Sequence, residues 1–369
     1  MTLTRRRMLQ AGCAAIATST ILERAFAAER RFAPQVQGWR SFEVTTTVNV
    51  ADAKGVTRIW LPVPDLDNDF QRSGLNSWSG NASSARLVSD PKSGTRMLYA
   101  EFAADVAAPT LSLTSAVQTR NRAIDWSHKV AAHEEPAVLR ANLAATQLLP
   151  IDGVVLETAK KAIQGAGSDV EKVRAIYQWV VDNAYREPST RGCGVGDIKA
   201  MLESGNLGGK CADLNAIFVG LCRSVGVPAR DIYGLRVAPS AFGYKELGGN
   251  SASLKGAQHC RAEVFLKEYG WVAMDPADVL KVMRQETPDW IKDVSNPVSA
   301  PVAKGLFGGW EGNWVGWNTA HDLKLPNYSR PQTLPFLMYP QGENAGGRFD
   351  ELAPDSFRYA ISAKETTLL

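Results

Sequence analysis

The chemistry this chain of 369 residues can perform starts with one thiol and very few bases. The stretch GGKCADLNAIFVGLCRS, residues 208–224, sets Cys211 at the first turn of a helical pattern, directly behind Gly208 and Gly209. A helix start presents unpaired N–H groups, and their partial positive charge favours thiolate over thiol. Lys210 adds a neighbouring cation. The two glycines let a substrate backbone approach the sulfur, and the same N–H groups are placed to stabilise a developing oxyanion. Of the four histidines, His259 opens a strand-like run, and Asp275 closes the next run just before Pro276. In a hairpin centred on residue 267 the two would lie opposite each other. A slip of one residue would send them to opposite faces. Nucleophile, base and orienter so arranged perform covalent chemistry at an amide carbonyl.

The other candidates are weighed against this set. Cys222 continues the apolar face of the same helix about 16 Å further on at 1.5 Å per residue, too far to bridge Cys211, and reads as core. Cys260 adjoins His259, but strand neighbours point to opposite faces. Cys193 is either a loop thiol or a disulfide partner for Cys260. A metal held by Cys193, Cys211, Cys260 and His259 lacks any CxxC or HxxxH spacing, so no metal and no organic cofactor is expected. His128, His133 and His321 read as surface or hydrogen-bonded residues. Asp213, in the first turn after Cys211, complements the helix dipole. Trp310, Trp314 and Trp317 are either a stacking platform for sugar rings or the packing of a domain seam.

Three regions must position these groups, and the fold class expected is α+β. Residues 38–125 alternate apolar and polar side chains, as at Phe42, Val44, Thr46, Val48 and Val50, and suit a small all-β sandwich. Residues 150–285 mix helical and strand patterns. Asp169 is placed to cap a helix carrying Val173, Ile176, Tyr177, Val180 and Val181. From Cys211, apolar residues recur at Leu214, Ile217, Phe218, Leu221, Cys222 and Val225, a helix buried along one face. Residues 286–369 are rich in Trp, Pro and Gly and are expected to wrap over the core.

The first 27 residues have the layout of a twin-arginine export signal. Arg5-Arg6-Arg7 precedes a weakly apolar run at residues 8–22 and a small-residue cleavage site, Ala25-Phe26-Ala27. Four of the 41 basic side chains and one of the 38 acidic ones lie in this segment, so the remaining chain carries 37 of each sign. Such a balance provides no nucleic-acid footprint. No later segment is apolar over the length a membrane requires, so no stable insertion is expected once the signal is removed. The expected location is periplasmic or secreted.

GGKCADLNAIFVGLCRSVGVPAR (208–230) followed by HCRAEVFLKEYGWVAMDP (259–276) resembles the transglutaminase-like core of bacterial proteins, a relative of papain-type cysteine peptidases. The resemblance covers about residues 150–285. It implies a core in which the Cys211 helix packs on an antiparallel sheet, with Cys211, His259 and Asp275 as the triad. Gly208, Gly209 and Trp271 would border the substrate, and Lys210 and Glu263 would support the site. Many members carry an aromatic residue two places after the histidine, where this chain has Arg261. Papain-type enzymes take a second oxyanion donor from upstream of the cysteine, and Tyr185 and Asn206 are the candidates here. The function implied is a thiol enzyme acting on peptide or protein substrates, cell-wall-associated ones included, through a thioester. Hydrolysis is favoured over amine transfer because water is the default acceptor. The rival reading is a secreted, non-catalytic binding or scaffold protein that keeps the fold and uses the β-domain and the Trp-rich C-terminal segment to hold a cell-wall polymer or a partner.

Overall fold

Phe42, Val44, Thr46 and Val48 occupy one face of a strand, Arg40–Asn49, and all four are buried. The structure, a computed structural model, describes residues 31–51, 53–330 and 333–367; the expected export signal lies outside them. Arg40–Asn49 sits inside a four-stranded antiparallel sheet, ordered Tyr359–Thr366, Arg40–Asn49, Thr110–Thr119, Gln71–Gly80. A second antiparallel sheet runs Gly347–Arg348, Gln341–Asn344, Thr57–Pro62, Arg96–Phe102, Ser84–Ser89. Val48, Leu111 and Leu113 from the first meet Ile59, Leu61, Leu98 and Ala100 from the second, so the two close as a sandwich. Residues from the far end of the chain complete both sheets: Ile361 pairs with Thr46, and Gly342 with Ile59. The C-terminal segment is thus part of the sandwich as well as a cover over the core.

The core is an antiparallel sheet ordered Gly270–Met274, Gln258–Leu266, Ala229–Arg236, Trp314–Asn318. The cysteine helix, Cys211–Ser224, packs across it and is buried at every residue but the last. A mid-helix glycine has a packing reason here, because a Cβ at Gly220 would overlap the Ile198 side chain. Helix Asp169–Asn183 presents Val173, Ile176, Tyr177, Val180 and Val181 to the same core. Its cap is Ser168 rather than Asp169, which is the first helical residue. Ser168 Oγ accepts from the Glu171 N–H at 3.3 Å, while the Glu171 carboxylate accepts from the Ser168 N–H at 2.9 Å. Serine with a glutamate three places on closes both ends of this reciprocal cap, which Asp169 cannot do. Among the described residues no helix is long and apolar enough to cross a membrane.

Trp310, Trp314 and Trp317 are 0%, 1% and 3% exposed, so they are not a stacking platform. Trp310 meets the Phe70 ring edge-on at 5.1 Å and Trp314 at 5.9 Å. The guanidinium carbons of Arg122 and Arg261 lie 5.0 and 5.1 Å from its ring. This one indole therefore joins sandwich residues to core residues, and Trp310→Ala is expected to cost about 3–5 kcal/mol. A lowered urea midpoint with far-UV circular dichroism intact would show it.

Candidate active site

Cys211 begins its helix, with Lys210 in extended conformation at the cap position. The loop before it is clamped by Asp213 rather than merely tuned by it. The Asp213 carboxylate accepts from the N–H groups of Val195 and Gly196, both at 2.9 Å, and of Lys210 at 3.0 Å. Gly194 has φ +91°, and a Cβ there would overlap that carboxylate. These contacts bring Cys193 over the helix start, where its carbonyl accepts from the Ala212 N–H at 2.9 Å. Among the described residues the N–H of Cys211 has no partner, which leaves it available at the helix end.

His259 and Asp275 do come together, but not as a directly opposed pair. In the observed register Ala262 faces Met274 and Leu266 faces Gly270, which centres the hairpin on residue 268. Asp275 is thus level with Arg261, and His259 lies diagonally across on the same face. The strand Gly270–Met274 has ended by then, and Asp275 caps helix Pro276–Gln285, with Pro276 at its first position. Asp275 Oδ1 accepts from the Asp278 N–H at 3.1 Å and Oδ2 from His259 Nε2 at 2.7 Å. One carboxylate therefore both starts a helix and holds the imidazole. Because Nε2 donates to Asp275, Nδ1 is the nitrogen left for other work. Cys211 and His259 line one cavity of about 310 Å³.

Three contributors lie outside the set of residues expected at the site. Asp278 Oδ2 lies 3.3 Å from His259 Nε2, and its other oxygen accepts from Arg236 at 2.6 Å. Asn215, one turn after Cys211, donates to Asp275 at 3.2 Å and to the Cys260 carbonyl at 2.9 Å. Asp-Pro-x-Asp at a helix start was the available signal for Asp278, since the third helical position lies beside the cap. Nothing local pointed to Arg236. Arg261 takes the place of the aromatic residue of many relatives: its guanidinium lies 4.8 Å from the Trp314 ring and its Nε 3.7 Å from Asp275. The aromatic packing is supplied instead by Trp314, two strands away in the sheet.

Burial opposes ionisation of Cys211, but the neighbouring Cys193 and Cys260 thiols and the His259 imidazolium hold the thiol well below its ordinary value. Burial and Arg236 push His259 down; Asp278 and Asp275 overcome them and raise it to about 9. Burial and the adjacent Asp278 push Asp275 up; at Asp278 burial is overcome by Arg236 and His259 together, which hold it well down. The favoured state is a thiolate beside an imidazolium. His259, Asp275 and Asp278 each bring one ligand atom within a 4.8 Å cluster. Arg236 and Arg261 already neutralise those carboxylates, so the cluster suits an imidazolium rather than a metal ion.

Lys210 lines the cavity with Cys211, as do Cys193 and Gln258, but several expected neighbours do not. Tyr185 donates to Asn206 at 3.0 Å, and neither borders the cavity. Gly208 and Gly209 pair in parallel with Tyr185 and Arg186, and a Cβ on either would strike Tyr185 or Asp213. Their smallness serves close packing. Glu263 is buried in ion pairs with Arg122 and Arg230, and Trp271 donates to Glu134 at 2.6 Å, both away from the thiol. All four described cysteines are free: Cys193 donates to the Gln258 carbonyl at 3.4 Å, and Cys222 is fully buried. His321 is no isolated surface residue, because its ring lies 3.4 Å from the buried Asp231.

A buried thiol at a helix start, packed on an antiparallel sheet that carries a carboxylate-held histidine, defines the papain-like class of cysteine-dependent enzymes. Residues 157–276 match the family model described as Transglutaminase-like superfamily. An uncharacterized protein of Haemophilus influenzae is 33% identical over 344 residues, covering 88% of this chain and 91% of that one. The chain belongs to the transglutaminase-like superfamily. Among solved structures, a Cytophaga hutchinsonii protein described as a candidate cysteine protease aligns with TM-score 0.47 and 16% identity, over 89% of this chain and 99% of that one. The periplasmic domain of TgpA from Pseudomonas aeruginosa aligns with TM-score 0.34 and 17% identity, over 72% and 93%.

Asp278→Asn removes the more firmly ionised of the two carboxylates on His259. The pKa of His259, read by NMR titration of ring carbons, is expected to fall from about 9 by a unit or more. An unchanged value would mean that Asp275 alone sustains it.

Proposed function

We propose that this protein is an exported thiol enzyme that opens peptide or amide bonds through Cys211, His259 and Asp275. The observation that carries the reading is the shared cavity of Cys211 and His259, with the far nitrogen of that ring held 2.7 Å from Asp275. Cys211 Sγ attacks the carbonyl carbon, and the Cys211 N–H at the helix start supports the oxyanion. As the tetrahedral adduct collapses, the C–N bond breaks, and the leaving amine takes the Nδ1 proton of His259. A thioester remains. Water, or a primary amine, then gives its proton to His259 as it attacks the thioester, and the thiolate leaves. The proposed location is periplasmic or secreted, on the strength of Arg5-Arg6-Arg7 and Ala25-Phe26-Ala27. Hydrolysis is favoured over transfer, as water reaches the cavity without a dedicated acceptor site.

Burial of Trp310, Trp314 and Trp317 takes away one of the surfaces that the scaffold alternative invoked. The test is incubation with a peptide library, with and without a primary amine, followed by mass spectrometry. Cleavage or deamidation is expected, lost by at least 10³-fold in Cys211→Ala and His259→Ala, in the range of triad removal. If no substrate is converted, and Cys211 is alkylated no faster than a free thiol, the enzyme reading fails. Activity is also expected to depend on pH with a definite sign. The thiolate persists from low pH, while His259 keeps the proton it must donate only up to about 9. Turnover should therefore fall as pH rises through about 9, whereas alkylation of Cys211 continues above it.

A further inference from the structure

The cavity at Cys211 is lined by five cationic side chains, Arg186, Lys210, Arg236, Lys255 and Lys281, and by no aspartate or glutamate. Three of them are already neutralised. Arg236 bonds Asp278 at 2.6 Å, Lys255 bonds Asp355 at 2.6 Å, and Lys281 lies 3.3 Å from Glu246. The other two have no carboxylate in hydrogen-bond contact among the described residues. Arg186 donates to the neutral amide of Gln285, at 3.0 Å, and Lys210 feels Glu187 only as a charge at longer range. Glu187, the nearest carboxylate in sequence, is turned to Ser189, whose N–H it accepts at 2.9 Å.

Both unpaired cations are fixed by backbone rather than left on a mobile surface. Arg186 and Gly209 pair in a short parallel ladder, and the Glu187 N–H donates to the Gly209 carbonyl at 2.9 Å. Lys210 follows directly, and its N–H is held by Asp213 at 3.0 Å. Both side chains line the cavity that holds the sulfur, and Arg186 is near enough to oppose the charge of Lys210. Two like charges so close are unfavourable unless an anion meets them. The Cys211 thiolate answers only in part, since His259 already balances it.

Resting on the thiol-enzyme reading above, we propose that Arg186 and Lys210 form an anion-recognising subsite. The substrate class is then a peptide that carries a carboxylate next to the amide bond attacked by Cys211. An Arg offers a planar fork matched to a carboxylate, and a Lys adds a point charge. In a cavity walled by protein these contacts are stronger than in open water.

The test uses the full chain and two alkylating probes that differ in charge. Iodoacetate carries a carboxylate; iodoacetamide is its neutral counterpart, and both form the same C–S bond with loss of iodide. Rate constants for Cys211 are measured at one pH by peptide mapping, with glutathione as the reference thiol. The iodoacetate-to-iodoacetamide ratio at Cys211 is expected to exceed that of glutathione by about tenfold, the low end of electrostatic focusing in a charged cleft. Added salt should lower it in the unaltered chain. In Arg186→Gln with Lys210→Gln the ratio should collapse towards that of glutathione, and Arg186→Lys with Lys210→Arg should retain most of it. A ratio equal to that of glutathione in the unaltered chain overturns the subsite. So does an equal loss of both rates in the double variant, because the cations would then serve only to keep the thiolate charged. A Cys211 that reacts with neither probe faster than glutathione removes the thiol-enzyme reading itself, a result separable from the other two.

Discussion

Everything at this site depends on burying six charges where water screens them only weakly. The Cys211 thiolate, Asp275 and Asp278 face the His259 imidazolium, Arg236 and Arg261, so that each sign is matched. Taking any one of these ions out of water alone would cost several kcal/mol, and only the partners offset it. That condition explains why the histidine has two carboxylates where one would orient it. Asp275 fixes the ring, and Asp278, itself fixed by Arg236, keeps the ring protonated. The requirement is collective, since removing one member leaves another uncompensated.

The elements exist to hold that group in register. Asp275 ends a strand and starts a helix, so its carboxylate is positioned by two elements at once. Asn215, on the cysteine helix, reaches the same carboxylate and the N–H of Ala277 at 3.2 Å, tying the helix to the strand end. The C-terminal segment adds the remaining wall: Tyr339, Leu352, Pro354 and Tyr359 border the cavity. The same stretch supplies strands to both sandwich sheets, so access to the thiol and the integrity of the sandwich share one piece of chain. Trp310 and Arg122 join the two regions from the other side.

Local patterns were legible wherever one face of one element decided the outcome. The buried face of the cysteine helix, the alternating strands, and the burial of Cys222 all follow from periodicities of 3.6 and 2, which any core must satisfy. Failures came where partners are distant in sequence. Tyr185 and Asn206 are suitable in type but bond each other outside the cavity, and Glu263 is spent on Arg122 and Arg230. The cap on helix Asp169–Asn183 was misplaced by one residue because a serine with a glutamate three places on outcompetes an aspartate inside the first turn.

The sequence by itself determined the class of chemistry, because a thiol behind two glycines, a lone strand histidine and an Asp-Pro are local statements about helix ends and strand ends. It also determined that the fold is α+β and that the three residues could meet if a hairpin had the right parity. What only the tertiary structure decided is how they meet: a register centred on residue 268, a diagonal rather than opposed pair, and a second carboxylate with its arginine. The tertiary structure also set Arg186 and Lys210, two cations without a bonded carboxylate, in the lining of the same cavity as the sulfur. The physical reason is that charge balance in a buried cavity is a sum over side chains from many segments. No stretch of chain contains that sum until the backbone has folded around it.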